Sequence, residues 1–389
     1  MDSPMEVEMG QKPLVLLSET PKINIMKLTI IAGARPNFMK IAPIIHAIDD
    51  MGGQERGLSY RLVHTGQHYD QKMSGTFFKE LGIPEPDVNL GCGGGSQAEQ
   101  TAAIMLAFEK ELLANPTDLV IVVGDVTSTM ACSIVAKKLH TKVAHVEAGI
   151  RSFDLSMPEE INRMVTDSIA DYFFTTTRRA GEQLLRSGAS EENIFFVGNV
   201  MIDTLLANRP RFRQPAVWVE KNLSEKKYLV MTLHRPANVD EGEKLKKLIH
   251  EITTHAEGLP IIFPIHPRTA RIFETLGIAS DNLHTIDPLG YLEFNYLVER
   301  AKAVITDSGG ITEETTVMGV PCITLRDNTE RPETIEIGTN ELIGTRPEAI
   351  APTMRVLMGG EWKKGGIPDK WDGKSARRIV EVLFGLEKQ

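Results

Sequence analysis

Residues 303–314 read Ala303-Val-Ile-Thr-Asp-Ser-Gly-Gly-Ile-Thr-Glu-Glu314. Their first four positions are apolar or β-branched with no polar alternation, which is the pattern of a strand covered on both faces. Asp307 ends that strand, and Ser308-Gly309-Gly310 opens a helix. Backbone N–H groups at such a helix start, with no large side chain over them, form an anion site suited to phosphate. The same strand–turn–helix unit recurs along the chain. Strands are expected at 28–32, 61–65, 119–123, 143–146, 172–176 and 194–197, with helical stretches at 36–49, 128–139 and 158–170. Pro36 and Pro158 suit the first helical turn, where a missing N–H costs nothing. After Arg209-Pro210 the rhythm restarts, with strands expected at 228–233, 260–264, 283–286, 303–306 and 322–325. Residues 208–222 carry two prolines and break the pattern. An α/β fold follows, with two doubly wound Rossmann-like domains facing a cleft. The expected boundaries are an extension at 1–25, a first domain at 26–207 and a second at 208–373. A last helix at 374–389 has the first domain as one available partner.

The chain has 389 residues, ample for two domains. Its 43 Lys and Arg against 52 Asp and Glu leave a net charge of −9, the wrong sign for coating nucleic acid. Cys92, Cys132 and Cys322 are widely spaced with no CxxC, which fits a reducing cytoplasm rather than a disulfide framework or a metal cage. No apolar stretch approaches the ~20 residues of a membrane span, and the acidic N-terminus does not read as a signal peptide.

Several tempting motifs fall short. The stretch Gly91-Cys-Gly-Gly-Gly-Ser96 lacks the third glycine of a dinucleotide fingerprint, and no Walker sequence occurs, so NAD and ATP lose their usual signatures. His64 and His68 sit around a glycine rather than on one helical face. His145-Val146-Glu147 imitates the H-x-E of zinc deaminases, but Pro321-Cys322 is followed by Leu325 where a second cysteine belongs. No metal and no cofactor are expected.

In open α/β sheets ligands bind beyond the carboxyl ends of the strands, so the residues after each strand carry the functional argument. Arg35 and Lys40, in Gly33-Ala-Arg-Pro-Asn-Phe-Met-Lys40, are two cations at a helix start and suit a diphosphate. Arg331 reads similarly. Asp125 and Glu147 each end a strand. Glu159, with Asn162 and Arg163, is expected on one face of the following helix, so that three carboxylates converge. Like charges held together push one pKa upward, which lets an acid and a base coexist near neutrality. Glu314, one turn past the glycine pair, suits a ribose hydroxyl pair. His234 and His266 follow strands in the second half, where an imidazole titrates usefully.

The ordered motifs GARPNFMK, HTGQHYD, VVGDVTST, HVEAGIRSFD, MPEEINR, VGNVMIDTL, TLHRPANVD, FPIHPR, DSGGITEE and DNTERPE resemble those of the non-hydrolysing UDP-N-acetylglucosamine 2-epimerases. The resemblance runs from about residue 26 to about residue 344. It implies a fold similar to the GT-B glycosyltransferases, a UDP-binding second domain, a homodimer, and interconversion of UDP-GlcNAc and UDP-ManNAc for polysaccharide biosynthesis. It implies catalytic roles for Asp125, Glu147, Glu159 and His234. It implies that Arg35, His266, Phe294, Ser308, Gly309, Gly310 and Glu314 hold the UDP part, with Lys40, Arg163 and Arg331 lining the cleft. The sequence departs from many bacterial members at Leu233-His-Arg-Pro-Ala-Asn238. Gln67 and Arg235 match part of the site where those enzymes bind a second UDP-GlcNAc.

The chemistry agrees with the resemblance. The epimerised carbon C2 carries an N-acetyl group and has no adjacent carbonyl, so its proton is too weakly acidic for simple removal and return. Expulsion of UDP from C1 while a base takes the C2 proton gives a glycal, and re-addition completes the exchange. Three alternatives share the motif set or the fold: a hydrolysing 2-epimerase that releases ManNAc and UDP, a glycosyltransferase, and a non-catalytic nucleotide-sugar sensor. An epimerase acting on a related UDP-N-acetyl sugar is a fourth.

Overall fold

The computed structural model describes residues 25–67, 78, 80–265 and 267–386. The extension expected at the N-terminus lies, up to residue 24, outside the described residues, as do His68 and His266. The first sheet holds seven parallel strands in the order β3-β2-β1-β4-β5-β6-β7: β1 (Met26–Ala32), β2 (Leu58–His64), β3 (Val88–Asn89), β4 (Leu119–Val123), β5 (Lys142–Val146), β6 (Tyr172–Thr175) and β7 (Ile194–Phe196). The second holds six in the order β10-β9-β8-β11-β12-β13: β8 (Leu229–Thr232), β9 (Ile261–Pro264), β10 (Leu283–Ile286), β11 (Ala303–Thr306), β12 (Cys322–Thr324) and β13 (Asn340–Leu342). In each sheet the order reverses once, between β1 and β4 and between β8 and β11. Those reversals are where doubly wound sheets leave a crevice for ligand.

The unbroken apolar strands have a direct physical cause. Leu119, Ile121 and Val123 of β4 point into one cluster, while Val120 and Val122 point into another on the opposite face. In β11, Ala303 and Ile305 enter one cluster and Val304 the other. Both faces of each sheet are therefore sealed by helices. β2 begins three residues before the expected run, at Leu58, because Ser59 and Tyr60 interrupt the apolar pattern in its outer half. The helix Ser375–Leu386 returns to the first sheet, where Ile379, Val380 and Leu383 join the core of Ile44 and Ile45. Each such burial contributes ~1.5–3 kcal/mol. The carboxylate of Asp203, on the helix Val200–Asn208, accepts from the N–H of Ala376 at 2.7 Å and caps that returning helix. Among the described residues no helix is long and apolar enough to cross a membrane.

Candidate active site

The first wall of the cleft starts at the switch between β1 and β4. The side-chain oxygen of Asn37 accepts from the N–H groups of Gly33 and Ala34, both at 3.0 Å. Its Nδ2 donates to the carbonyl of Val123 at 3.1 Å. This one side chain ties the loop after β1 to the end of β4 and starts the helix Arg35–Asp50. That helix delivers Lys40, whose buried ammonium meets Glu147 Oε2 at 2.6 Å. Glu147 follows β5 with φ +68°, a left-handed conformation that costs a non-glycine residue roughly 1–2 kcal/mol. The strain is held by two bonds, from the N–H groups of Glu147 and Ala148 to the Phe174 carbonyl at 3.0 and 3.1 Å.

Asp125 follows β4 through Gly124, which has φ +67°. The helix Pro158–Ile169 fixes this turn. Asn162 Nδ2 donates to the Asp125 carbonyl at 2.8 Å, and Arg163 pairs with the Asp125 carboxylate. Burial would raise the Asp125 pKa, but Arg163, Lys40 and Arg331 outweigh it and hold the carboxyl below its usual range.

The second wall is built from the ends of β8, β11 and β12. Asp307, fully buried after β11, accepts from the backbone N–H groups of His234 and Arg235 and from Asn238 Nδ2. Its Oδ1 also meets His234 Nδ1 at 2.7 Å, so an exposed ring is held at a fixed angle over the cleft. The helix Gly309–Met318 begins at Ser308, whose side chain makes no capping bond. Its first N–H groups stand half-buried at the rim. Glu314, one turn in, is buried and takes the Tyr291 hydroxyl at 2.8 Å. Burial pushes its pKa up to about 7, with the Tyr291 bond opposing and the neighbouring Glu313 charge adding. Phe294 packs half-buried beside Val298 and Ile311.

The walls meet through the segment after β12. Arg331 pairs through Nε with Glu313 and through Nη2 with Glu147 at 3.5 Å. Asn199 Nδ2 adds a bond to Glu313 at 2.9 Å. Glu330 takes Arg326 at 2.5 Å and reaches Arg163 at 3.8 Å across the cleft. Burial opposes its ionisation, yet Arg326, Arg331 and Arg163 pull its pKa down to about 2. Within this network Glu147 Oε1 and Arg331 Nη1 are buried with no hydrogen-bond partner. Buried, unpaired charged atoms are costly, so this point in the cleft is prepared for a polar ligand.

The structure brings Lys40, Asp125, Glu147, Arg163 and Arg331 together. It corrects one expectation: Glu159 is exposed, and the inward carboxylate of its helix is Glu160. Glu160 is bonded to the Ser152 and Phe153 N–H groups, the Ser152 hydroxyl and Arg163. Asp125 and Glu147 stand inside the charged network, while Glu159 is exposed beside it, where its charge acts on Arg235. The helix starts at Pro158 as expected, but its buried face runs through Glu160, Arg163 and Asp167, and Glu159 falls to the exposed side of it. Arg35 opens its helix, and its side chain lies outside the described residues. Asp307, Glu313 and Glu330 went unnoticed as site residues, although each stands inside or beside a motif quoted above.

A family model described as UDP-N-acetylglucosamine 2-epimerase matches residues 52–384. A UDP-N-acetylglucosamine 2-epimerase of Methanocaldococcus jannaschii is 41% identical over 370 residues, covering 92% of this chain and 99% of its own. A crystal structure of the M. jannaschii UDP-GlcNAc 2-epimerase in complex with UDP-GlcNAc and UDP superposes with TM-score 0.82 at 42% identity, over 92% of this chain and 99% of that one. A UDP-2,3-diacetamido-2,3-dideoxy-D-glucuronate 2-epimerase of Pseudomonas aeruginosa is 37% identical, covering 93% and 100%. The galactosyltransferase WaaB, at 15% identity and TM-score 0.53 over 93% and 100%, shares the fold alone. Matched over most of its length and more than two-fifths identical to an enzyme it spans almost end to end, the chain belongs to the UDP-N-acetylglucosamine 2-epimerase family.

Proposed function

We infer that the chain interconverts UDP-GlcNAc and UDP-ManNAc without net hydrolysis. The observation that carries this reading is the meeting of Asp125 and Glu147 with Lys40, Arg163 and Arg331 where the carboxyl ends of the two sheets face each other. A carboxylate takes the C2 proton, the C–H electron pair becomes the C1=C2 double bond, and the C1–O bond breaks with its electrons leaving on UDP. Re-addition from UDP, with a proton delivered to the opposite face of C2, reverses the stereochemistry. Asp125, Glu147 and Glu159 are the acid and base candidates, and His234, oriented by Asp307, adds a donor over the sugar. The cations and the uncapped helix start at Ser308, Gly309 and Gly310 stabilise the departing diphosphate, together with Arg35. Glu314, Phe294 and His266 serve the uridine end. Proton transfer and elimination need neither nicotinamide nor metal. A closed network that buries Glu147 keeps water from the glycal, which favours return of UDP over hydrolysis.

A second surface supports a homodimer. The helices Gln97–Ala114, Thr127–Lys138 and Pro158–Ile169 lie side by side on one face of the first sheet, and they expose Leu106, Leu113, Ile161 and Met164. A second copy laid across these neighbouring helices would cover all four apolar side chains. The three cysteines are buried and unbridged, which suits the cytoplasm, where UDP-sugars are consumed in polysaccharide biosynthesis.

The deciding experiment is an NMR time course with UDP-GlcNAc in deuterium oxide, repeated with related UDP-N-acetyl sugars and with EDTA present. UDP-ManNAc with deuterium at C2 in both sugars, at a rate indifferent to EDTA, is the expected outcome. Free ManNAc with UDP would make the enzyme hydrolysing. Full retention of the original C2 hydrogen would sink the elimination route.

A further inference from the structure

His145 imitates a zinc motif in sequence, yet both its ring nitrogens are engaged inside the protein. The ring is fully buried in β5. Nδ1 lies 2.6 Å from Asp167 Oδ1, and Nε2 lies 2.8 Å from the carbonyl oxygen of Gly124. A backbone carbonyl only accepts, so Nε2 must carry a proton. On the other side, Asp167 Oδ2 already takes the Arg151 guanidinium at 2.6 Å and the Gly149 N–H at 3.1 Å. A carboxyl bonded to a guanidinium is ionised and accepts from every partner, so Nδ1 must carry a proton as well. Both nitrogens then donate, and only the imidazolium has two donors.

The partner of Nε2 gives the cation its purpose. Gly124 is the left-handed residue that turns the chain from β4 into Asp125. Its N–H donates to the Val146 carbonyl at 3.0 Å, and the Asp125 carbonyl takes Asn162 at 2.8 Å. The Gly124 carbonyl is the third restraint, and His145 alone supplies it among these contacts. The charged groups around the ring are Asp167 from the helix Pro158–Ile169 and Arg151 behind it. Lys40 and Glu147 crowd the far side of Gly124, where an added Cβ would stand 2.6 and 3.7 Å from Lys40 Nζ and Glu147 Oε2. We propose that His145 is a positioning residue, held as an imidazolium on Asp167, whose Nε2–H sets the Gly124 peptide and through it aims the Asp125 carboxylate at C2. This rests on the acid–base role inferred above for Asp125.

Two arms test it on the full chain. With ¹⁵N-labelled histidine, the resonance lost in His145→Asn identifies the ring. Both of its nitrogens should carry a proton in the folded enzyme under assay conditions, and a neutral ring there would overturn the proposal. The kinetic arm compares two variants. In His145→Gln the amide nitrogen stands near Nε2 and keeps a donor for Gly124. In His145→Asn it stands near Nδ1 and keeps the donor for Asp167 only. The expected result is a kcat loss of about 10²-fold in His145→Asn, the size of a misaimed catalytic group, with KM little changed and a substantially smaller loss in His145→Gln. Equal losses in both variants, or a change in KM alone, would overturn it. If His145→Asn fails to fold, the wild-type spectrum, assigned against His145→Gln, and the kcat of His145→Gln still decide. A wild-type chain with no turnover of any UDP-sugar would remove the function and the aiming role together, while the spectrum would still rule on the imidazolium.

Discussion

At the residue scale the cleft uses burial to set charge. Glu314 has its pKa pushed up to about 7, mainly by burial. A carboxyl whose folded pKa lies above its unfolded one stabilises the fold below about 4.5 and loses that contribution as pH rises through about 7. Glu314→Gln should therefore gain thermal stability relative to wild type as pH rises across that window, by up to ~3 kcal/mol. Parallel Tm-against-pH curves would refute this. The same residue tests the uridine end. Glu314→Ala should weaken UDP binding by about 1–3 kcal/mol, read by calorimetry, and unchanged affinity in a folded variant would remove it from the ribose. The proposed acid–base role of the carboxylates is tested one residue at a time. Asp125→Asn, Glu147→Gln and Glu159→Gln should each lower kcat by about 10²-fold or more with UDP affinity little changed. Glu159 is the sharpest case, because it is exposed and bears no structural bond among those of its helix. A normal kcat in that variant would leave the pair of Asp125 and Glu147 as the whole acid–base unit.

At the scale of elements, one segment carries charged contacts from the second domain into the first. Residues 326–331, between β12 and the short helix Glu333–Glu336, hold Arg326, Glu330 and Arg331, and two of these reach the first domain. Arg331 serves two carboxylates at once, with Nε on Glu313 and Nη2 on Glu147, a division that the rigid fork of a guanidinium suits. Arg331→Ala leaves both carboxylates buried without that cation. Denaturant unfolding should show a loss of about 3–5 kcal/mol, the penalty for breaking a buried pair. A loss below ~1 kcal/mol, the range of exposed pairs, would mean that water replaces the guanidinium and that the cleft is open in solution. The helix Gln97–Ala114 makes a contrasting point. Its start is a purely local device that the strand pattern passed over: Ser96 and Glu99, where each side chain bonds the other's backbone N–H, at 3.3 and 2.8 Å.

At the scale of the whole molecule, two doubly wound sheets oppose their carboxyl ends, and the chain closes by returning its last helix to the first sheet. That return ties the second domain to the first at a point away from the cleft, while residues 326–331 tie them within it. The exposed leucines belong to this scale as well. Replacing Leu106 and Leu113 with Arg should convert a dimer to a monomer in light scattering, with UDP affinity retained. A wild-type monomer, or an unaltered dimer in the double variant, would refute the assigned face.

Periodicity was enough to read the fold class, because a strand sealed on both faces must be apolar at every position, as in β4 and β11. Position after a strand singled out Lys40, Asp125, Glu147 and Arg331, and the structure brings these side chains together because parallel sheets gather their strand ends on one side. Short edge strands such as Val88–Asn89 and Asn340–Leu342 escaped, because two or three residues carry no period. Which carboxylate of Glu159 and Glu160 turns inward depended on a loop anchored by Ser152 and Phe153, a contact no helical period encodes. Likewise, the two donors required of His145 and the sharing of Arg163 among Asp125, Glu160 and Glu330 exist only in the assembled structure. Charge state and pairing are properties of distance and burial, and residues from distant parts of the chain acquire both only when the sheets and domains pack.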